Sequence, residues 1–185
     1  KTVPGLSQAG CGPEFTNRKR SEIVVQLTSM VDYEIEDGVA VLTLDNPPVN
    51  ALSQGVRQGL KDGIAKALAD DAARAVLIHC KGRTFIAGAD ITEFASAPVG
   101  PGFHEVLDTM DSASKPVVAA ITGAALGNGL ELALAAHGRV AHPGARLGAP
   151  EITIGIVPGS GGTQRLPKVV GGLAALKMLL SGRAV

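Results

Sequence analysis

The sequence predicts a single α/β domain, and three observations support this prediction. Short apolar runs typical of strands alternate along the chain with segments whose apolar residues recur at helical spacing. Hydrophobic residues make up 45% of the 185 residues and charged residues 18%, a balance typical of globular rather than disordered chains. Glycine, at 24 residues, occurs at about twice its average share, which predicts many tight turns.

The N-terminal residues are expected to lie outside the folded domain, and the domain is expected to be incomplete at its C-terminus. Residues 1–29 hold scattered proline and glycine, a basic cluster and one short apolar run, an order that does not fit a secretory signal. We interpret them as a flexible leader, with a partner-binding tail as the alternative, and place the folded domain at 30–185. The chain stops at Val185 directly after a helical pattern, which suggests a fragment of a longer protein.

The elements follow in order from local patterns. Residues 33–44 form two β-patterned runs around Asp37-Gly38, a pair that suits the positive φ values of a type I′ turn and predicts a hairpin. Ser53 is a suitable N-cap for a helix over 53–70. The further predicted elements are a buried strand at 75–78, a glycine loop over 82–88, a helix near 102–113, a strand at 116–121, a small-residue turn at 123–129, a helix at about 128–137 and a last helix at 169–180.

Charge, cysteine content and hydropathy argue against several functional classes. Lys plus Arg and Asp plus Glu each number 17, so the chain lacks the cationic excess of a nucleic-acid binder. The mixed charges of helix 53–70, including Arg57 and Lys61, are interpreted as a solvated face. Two cysteines fit a reducing compartment, and no apolar run reaches the ~18 residues that span a bilayer.

The glycine-rich segments do not match nucleotide-binding motifs. Leu132 stands where the dinucleotide fingerprint needs its third glycine, and no Gly-Lys-Ser/Thr follows the glycines at 159–162, so no NAD site is expected. The four histidines lack metal-ligand spacing, so no metal is expected either. His79 and Cys80 are neighbours in a predicted strand and would point to opposite faces, which argues against a nucleophile–base pair.

Three segments carry the chemistry. The first, 83–91, has small residues around Gly88 that allow a ligand to approach the backbone closely. The second, 123–132, turns through small residues into a helix whose first N–H groups suit a developing negative charge. The third comprises 147–151 and the glycine-rich stretch 155–166.

Each of the last two segments contains one glutamate. Glu131 opens an otherwise apolar helix with no Lys or Arg within one turn, and Glu151 follows Pro150 between apolar residues. Two carboxylates in such surroundings fit general acid–base work, because burial can tune their proton affinity. For Glu131 the alternative is an acidic residue on a solvated first turn, favoured there by the helix dipole. The residues around Glu131 support the two interpretations equally.

Together these segments resemble the crotonase superfamily, and specifically its enoyl-CoA hydratases and isomerases. Still closer is the N-terminal part of the bifunctional fatty-acid β-oxidation enzymes. The resemblance covers 31–185 and rests on Ala-Gly-Ala-Asp-Ile, Gly-x-Gly-Leu-Glu-Leu, Pro-Glu and Pro-Gly-x-Gly-Gly-Thr-Gln-Arg-Leu. It implies a spiral of ββα units, truncated at its C-terminus, that binds an acyl-CoA thioester.

The resemblance also implies roles for individual residues. Glu131 and Glu151 match the catalytic glutamates, and the backbone N–H groups of Ala89 and Asn128 match the oxyanion hole. The family usually has glycine at position 128; asparagine tolerates positive φ, so the N–H can be kept, but its side chain is expected near the acyl group. The residues expected to contact substrate or CoA are Ala51, Ala87, Gly88, Ala89, Asp90, Ile91, Gly127, Pro150 and Gly159.

The implied function is hydration of trans-2-enoyl-CoA to 3-hydroxyacyl-CoA in fatty-acid β-oxidation, with Δ3-Δ2 isomerisation as a companion activity. The alternatives are decarboxylation, dehalogenation or thioester hydrolysis on the same fold, and an RNA-binding homologue. CoA is then part of the substrate, with no separate cofactor, nucleic acid or membrane partner. Implied assemblies are a trimer-type homo-oligomer or a monomeric enzyme with a downstream dehydrogenase domain. Implied locations are the bacterial cytoplasm or a eukaryotic peroxisome or mitochondrion.

Overall fold

The computed structural model describes residues 30–95, 97 and 99–185, so the predicted leader at 1–29 lies outside the described residues. Four units of two strands and one helix follow one another, as the family resemblance implies. The strands are β1 (Val31–Glu36), β2 (Val39–Leu44), β3 (Ala75–Cys80), β4 (Thr84–Ala87), β5 (Val117–Ile121), β6 (Ala124–Leu126), β7 (Gly138–Ala141) and β8 (Arg146–Gly148). The helices are α1 (Gln54–Ala69), α2 (Phe103–Asp111), α3 (Asn128–Ala135), α4 (Gly162–Val170) and α5 (Gly172–Ser181), with 3₁₀ helices at Ile91–Ala95 and Pro150–Ile154.

The predicted hairpin is confirmed. Strands β1 and β2 pair antiparallel from Val31 opposite Leu44 to Glu36 opposite Val39. Asp37 and Gly38 both have positive φ, at 48° and 83°, as a type I′ turn requires.

The strands form two sheets. The larger has the order β1-β2-β3-β5-β7 and is parallel beyond β2, while the smaller has the order β4-β6-β8 and is parallel throughout. The apolar core is built largely from aliphatic side chains and one phenylalanine, Phe85, which is fully buried. Gly63 brings α1 close to β2, because a Cβ there would lie 2.7 Å from a methyl carbon of Leu42.

Strand β3 is buried on one face rather than on both. Val76, Ile78 and Cys80 are buried, while the alternate residues are half-buried. The predicted opposition of His79 and Cys80 is therefore confirmed: the His79 Nε2 atom lies 2.8 Å from the hydroxyl of Thr43, and burial raises the pKa of the Cys80 thiol.

Three predicted elements, a loop, a turn and a continuous helix, differ from the structure. The loop over 82–88 contains β4, and the turn over 123–129 contains β6. These strands have only four and three residues and form because they pair with each other over long sequence distance, which local patterns do not report. The last predicted helix, 169–180, is interrupted at Gly171, whose φ of 81° separates the end of α4 from α5, the helix that accounts for most of that range.

A backbone N–H at the start of α1 donates its hydrogen bond to a residue that is distant in sequence. Ser53 occupies the predicted N-cap position, but its side chain makes no capping hydrogen bond. Instead the N–H of Gln54 donates to Oε1 of Glu93 at 2.6 Å. A carboxylate at this position also interacts favourably with the helix dipole. Among the helices described, none combines the length and apolar character needed to cross a membrane.

Candidate active site

The candidate site lies where strands β4 and β6 end. The two strands pair in parallel, with Ala87 opposite Leu126, so the residues that follow them lie side by side. After β4 the chain passes through Gly88 (φ 92°) to Ala89, and after β6 it passes through Gly127 (φ 55°) into α3. Positive φ turns the chain out of the sheet at both points, in a conformation that glycine adopts readily.

Two backbone N–H groups remain available at these strand ends. Neither Ala89 nor Asn128 has a hydrogen-bond acceptor for its N–H among the described residues. Asn128 is the first residue of α3, where the helix provides no carbonyl partner. Both residues border one cavity of about 230 Å³. Two such donors suit a ligand oxygen that acquires negative charge.

Most of the residues predicted to form the site line this cavity. The other lining residues are mainly apolar and come from β6 and from the chain after Pro150. The predicted residues that line it are Ala87, Gly88, Ala89, Ile91, Gly127, Asn128, Pro150 and Glu151.

Four predicted residues do not line the cavity: Ala51, Asp90, Glu131 and Gly159. Ala51 is half-buried in the turn before α1. The carboxylate of Asp90 accepts hydrogen bonds from the hydroxyl and N–H of Thr92, which lower its pKa. The carbonyl oxygen of Gly159 lies 3.1 Å from Nε2 of His104.

Glu131 is buried in the first turn of α3, with 2% of its surface exposed, so the alternative of a solvated first turn is wrong. Its Oε1 accepts hydrogen bonds from the N–H of Ser160 at 2.8 Å and of Gly162 at 2.9 Å. These donors belong to the glycine-rich loop that leads into α4. The loop therefore fixes the position of the Glu131 carboxylate with backbone groups.

Glu151 is buried in the 3₁₀ helix after β8 and lines the cavity directly. Its Oε2 atom has no hydrogen-bond partner among the described residues. Desolvation by burial, together with the nearby charge of Glu131, raises the pKa of this carboxyl. Gly127 leaves room for it, since a Cβ at that position would lie 3.0 Å from Oε1 of Glu151. A desolvated carboxyl with one oxygen that lacks a partner is well suited to hold and deliver a proton.

Asn128 does not need the positive φ that the sequence argument allowed for it. The positive φ falls on Gly127, and Asn128 begins the helix with ordinary helical geometry. The Nδ2 atom of Asn128 lies 3.5 Å from the hydroxyl oxygen of Ser160, at the long end of hydrogen bonding. The side chain thus links the start of α3 to the loop that holds Glu131.

A second cavity, of about 270 Å³, shares the lining residues Ala89 and Asn128 with the first. Arg57 lines it, and its side chain is only 14% exposed, so the solvated-face interpretation is wrong for this residue. The guanidinium forms an ion pair with Glu93 at 2.8 Å. Helical spacing placed Arg57 on a polar face, and nothing in the sequence around it signals the distant partners that bury it.

The described residues contain no group of three or more His, Cys, Asp or Glu side chains arranged to hold a metal ion.

Comparison with known proteins is consistent with this geometry. The family model described as enoyl-CoA hydratase/isomerase matches residues 34–185. A peroxisomal bifunctional enzyme from Danio rerio is 50% identical over 157 residues, which are 84% of this chain and 22% of that protein. A glyoxysomal fatty acid beta-oxidation multifunctional protein from Cucumis sativus is 44% identical over 158 residues, which are 80% of this chain and 22% of that protein.

Solved structures share the fold. The crystal structure of an enoyl-CoA hydratase from Bacillus anthracis superposes with a TM-score of 0.77 at 31% identity, covering 84% of this chain and 64% of that one. The chain thus spans about a fifth of the length of the two multifunctional relatives. The family match covers well over half of the chain and includes both strand ends and both glutamates of the cavity region. The chain therefore belongs to the enoyl-CoA hydratase/isomerase family.

Proposed function

We propose that the chain catalyses the addition of water to trans-2-enoyl-CoA, which yields 3-hydroxyacyl-CoA. One observation carries this proposal: two N–H groups that find no acceptor in the described part of the chain, those of Ala89 and Asn128, share a cavity with the desolvated Glu151, and the buried Glu131 is held close behind it. Hydration of an enoyl thioester needs these parts, namely donors for an enolate oxygen and two groups that move protons.

The thioester oxygen is placed between the N–H groups of Ala89 and Asn128. As water adds to Cβ, the double bond's electron pair shifts toward Cα and the carbonyl, and the oxygen gains negative charge. Preorganised donors stabilise that charge, and each is typically worth ~3 kcal/mol in the transition state. Desolvation of the cavity strengthens both interactions.

The two carboxyls have different environments and therefore different roles. Glu131 accepts two backbone N–H bonds and acts as the carboxylate that orients water and takes its proton. The raised pKa of Glu151 favours its protonated form, which delivers a proton to Cα. Proton exchange with solvent restores both groups. The reaction is redox-neutral, so CoA enters as part of the substrate and the scheme uses no NAD or metal.

The names of the relatives support a place in fatty-acid β-oxidation. We extend the proposal to a hydratase portion of a bifunctional β-oxidation enzyme, in a peroxisome or glyoxysome if the source is eukaryotic and in the cytoplasm if it is bacterial. Reading the gene downstream of Val185 tests this extension. A strand followed by Gly-x-Gly-x-x-Gly is expected there, as a dinucleotide-binding domain requires; a stop codon without it contradicts the extension.

The test of the hydratase proposal uses the full-length protein and crotonyl-CoA. Glu131→Gln and Glu151→Gln should each lower kcat by about 10²-fold or more with little change in KM, because their roles lie in the transition state. Glu105→Gln is the control, since Glu105 is exposed on α2 and its side chain pairs with Lys61 and with the N-terminus of its own helix, away from both glutamates.

Product analysis separates hydration from the other reactions of this fold. Hydration gives 3-hydroxyacyl-CoA, whereas thioester hydrolysis releases the free thiol of CoA and decarboxylation releases carbon dioxide. Near-normal turnover by either glutamine variant, or a product other than 3-hydroxyacyl-CoA, contradicts the proposal.

A further inference from the structure

One wall of the second cavity, residues 99–102, is the last part of a segment that contacts the start of α1 near both of its ends. The described residues of this segment, 91–95, 97 and 99–102, begin two residues after Ala89. Its last residues, from Val99 to Gly102, line the cavity. Gly100 packs tightly on α1, because a Cβ there would lie 2.6 Å from Nε2 of Gln54.

Arg57 joins the two ends of the segment. Its Nη1 donates to Oε2 of Glu93 at 2.8 Å, near the start of the segment. Its Nε donates to the carbonyl of Pro101 at 3.0 Å, near the end. Nη1 also donates to the carbonyl of Leu52 at 2.8 Å, in the chain that leads into α1. A planar guanidinium can satisfy these separate acceptors at fixed angles, which an ammonium group cannot.

The charges at this wall cancel locally. Arg57 and Glu93 neutralise each other, and the other residues of the lining are apolar or glycine, apart from Asn128. An apolar lining with paired charges fits a hydrocarbon chain and offers no free cation to a phosphate. The two cavities share the lining residues Ala89 and Asn128, the proposed oxyanion donors, so a group bound to the thioester carbonyl lies next to both cavities.

We propose that Arg57 is a positioning residue that sets the acyl-chain length the site accepts. By holding Glu93 and Pro101 against the start of α1, it fixes the position of the wall 99–102 and so the depth of the second cavity. The inference rests on the proposed hydratase function, since it assigns the acyl chain to this cavity. Without Arg57 the wall yields outward, and longer chains gain room that short chains do not use.

The experiment compares kcat/KM for 2-butenoyl-CoA and 2-decenoyl-CoA in the full-length protein. Arg57→Met keeps the aliphatic stem and removes all three hydrogen bonds, and it should raise the ratio of long-chain to short-chain kcat/KM by about tenfold. Lys61→Met is the matched control, one turn further along α1. It breaks an exposed ion pair with Glu105 but leaves the Glu105 Oε1 that accepts from Gly102, and neither Lys61 nor Glu105 lines either cavity, so its ratio should equal that of the wild type.

A second variant guards against loss of folding. Glu93→Gln keeps an oxygen for the N–H of Gln54 but removes the charge that pairs with Arg57, so its ratio should shift in the same direction by a smaller factor. General destabilisation lowers activity on both substrates alike and leaves the ratio unchanged. The inference is overturned if the wild type is active and a folded Arg57→Met or Glu93→Gln protein keeps the wild-type ratio. If the wild type hydrates neither substrate, it is the proposed function that fails.

Discussion

Replacing Gly162 by alanine tests whether the glycine-rich loop positions Glu131. Gly162 is the first residue of α4, and its N–H donates to Oε1 of Glu131. A Cβ there would lie 2.9 Å from that same oxygen, 3.1 Å from Cγ of Glu131 and 3.2 Å from Cβ of Pro158. The new methyl group thus collides with the carboxylate that the backbone of the same residue holds.

The size of the effect follows from these distances. Ordinary contact begins near 3.4 Å, so the carboxylate must move by about half an ångström. The movement weakens two hydrogen bonds to a charged acceptor, those from Ser160 and Gly162. Overpacking of this kind typically lowers the free energy of unfolding by about 1–3 kcal/mol. A misplacement approaching 1 Å costs about 10²-fold in rate, so a loss of about 10-fold or more in kcat is expected.

The chain offers a matched control. Gly172 is the first residue of α5, as Gly162 is of α4, and each helix follows a glycine with positive φ. A Cβ at Gly172 meets nothing within 4 Å. Gly172→Ala should therefore be neutral or stabilise by up to ~1 kcal/mol, because alanine loses less backbone entropy on folding.

Urea denaturation and crotonyl-CoA hydration, measured on both variants, give the answer. Gly162→Ala should lose stability and kcat together, while Gly172→Ala keeps wild-type kcat. The reasoning is refuted if Gly162→Ala matches the wild type in both measurements, because Glu131 would then not depend on the loop.

Two further predictions concern the cavity itself. Asn128→Pro removes a proposed oxyanion donor at the first helical position, where proline is well tolerated, so kcat/KM should fall by about 10²-fold while circular dichroism shows a folded protein. Asn128→Gly keeps the N–H and should keep activity on short acyl chains. Full activity of the proline variant would rule out this donor. Because the folded-state pKa of Glu151 is raised above 4.5, the folded protein binds its proton more tightly than the unfolded chain does, so this group's contribution to stability is present below pH 4.5 and is lost as pH rises through the folded pKa. The free energy of unfolding is measured by urea denaturation at pH 4.5 and 7.5 for Glu151→Gln and the wild type. The value for the variant minus that for the wild type should be larger at pH 7.5, and an equal difference at both pH values would contradict the assignment.

Elements with local causes could be predicted from the sequence. The hairpin follows from Asp37-Gly38, whose φ values the turn needs, and α1 and α3 follow from apolar spacing. Strands β4 and β6 were missed because three or four residues carry little pattern and owe their form to each other. Gly171 was read inside a helix because its positive φ depends on how α4 and α5 pack.

In the site, too, features with local causes could be predicted from the sequence, and features set by distant contacts could not. Glu131 was weighed equally between a solvated and a functional position, since nothing nearby in sequence supplies the N–H donors of Ser160 and Gly162. The local pattern marks both glutamates as candidates for acid–base work, and the family resemblance implies that they are the catalytic pair. The solvated-face interpretation is wrong for Arg57, because a lone arginine on a helical face looks the same in sequence whether its partner is solvent or a carbonyl 44 residues away.

The bond from the Gln54 N–H to the Glu93 carboxylate also bears on the order of folding. A helix usually closes its first turn with a cap drawn from its own neighbourhood, and so can begin to form alone. Here the acceptor lies 39 residues downstream, beyond β3 and β4. The first turn of α1 is therefore completed only after that stretch of chain has been placed. We therefore expect the start of α1 and the region of Glu93 to become native together rather than independently.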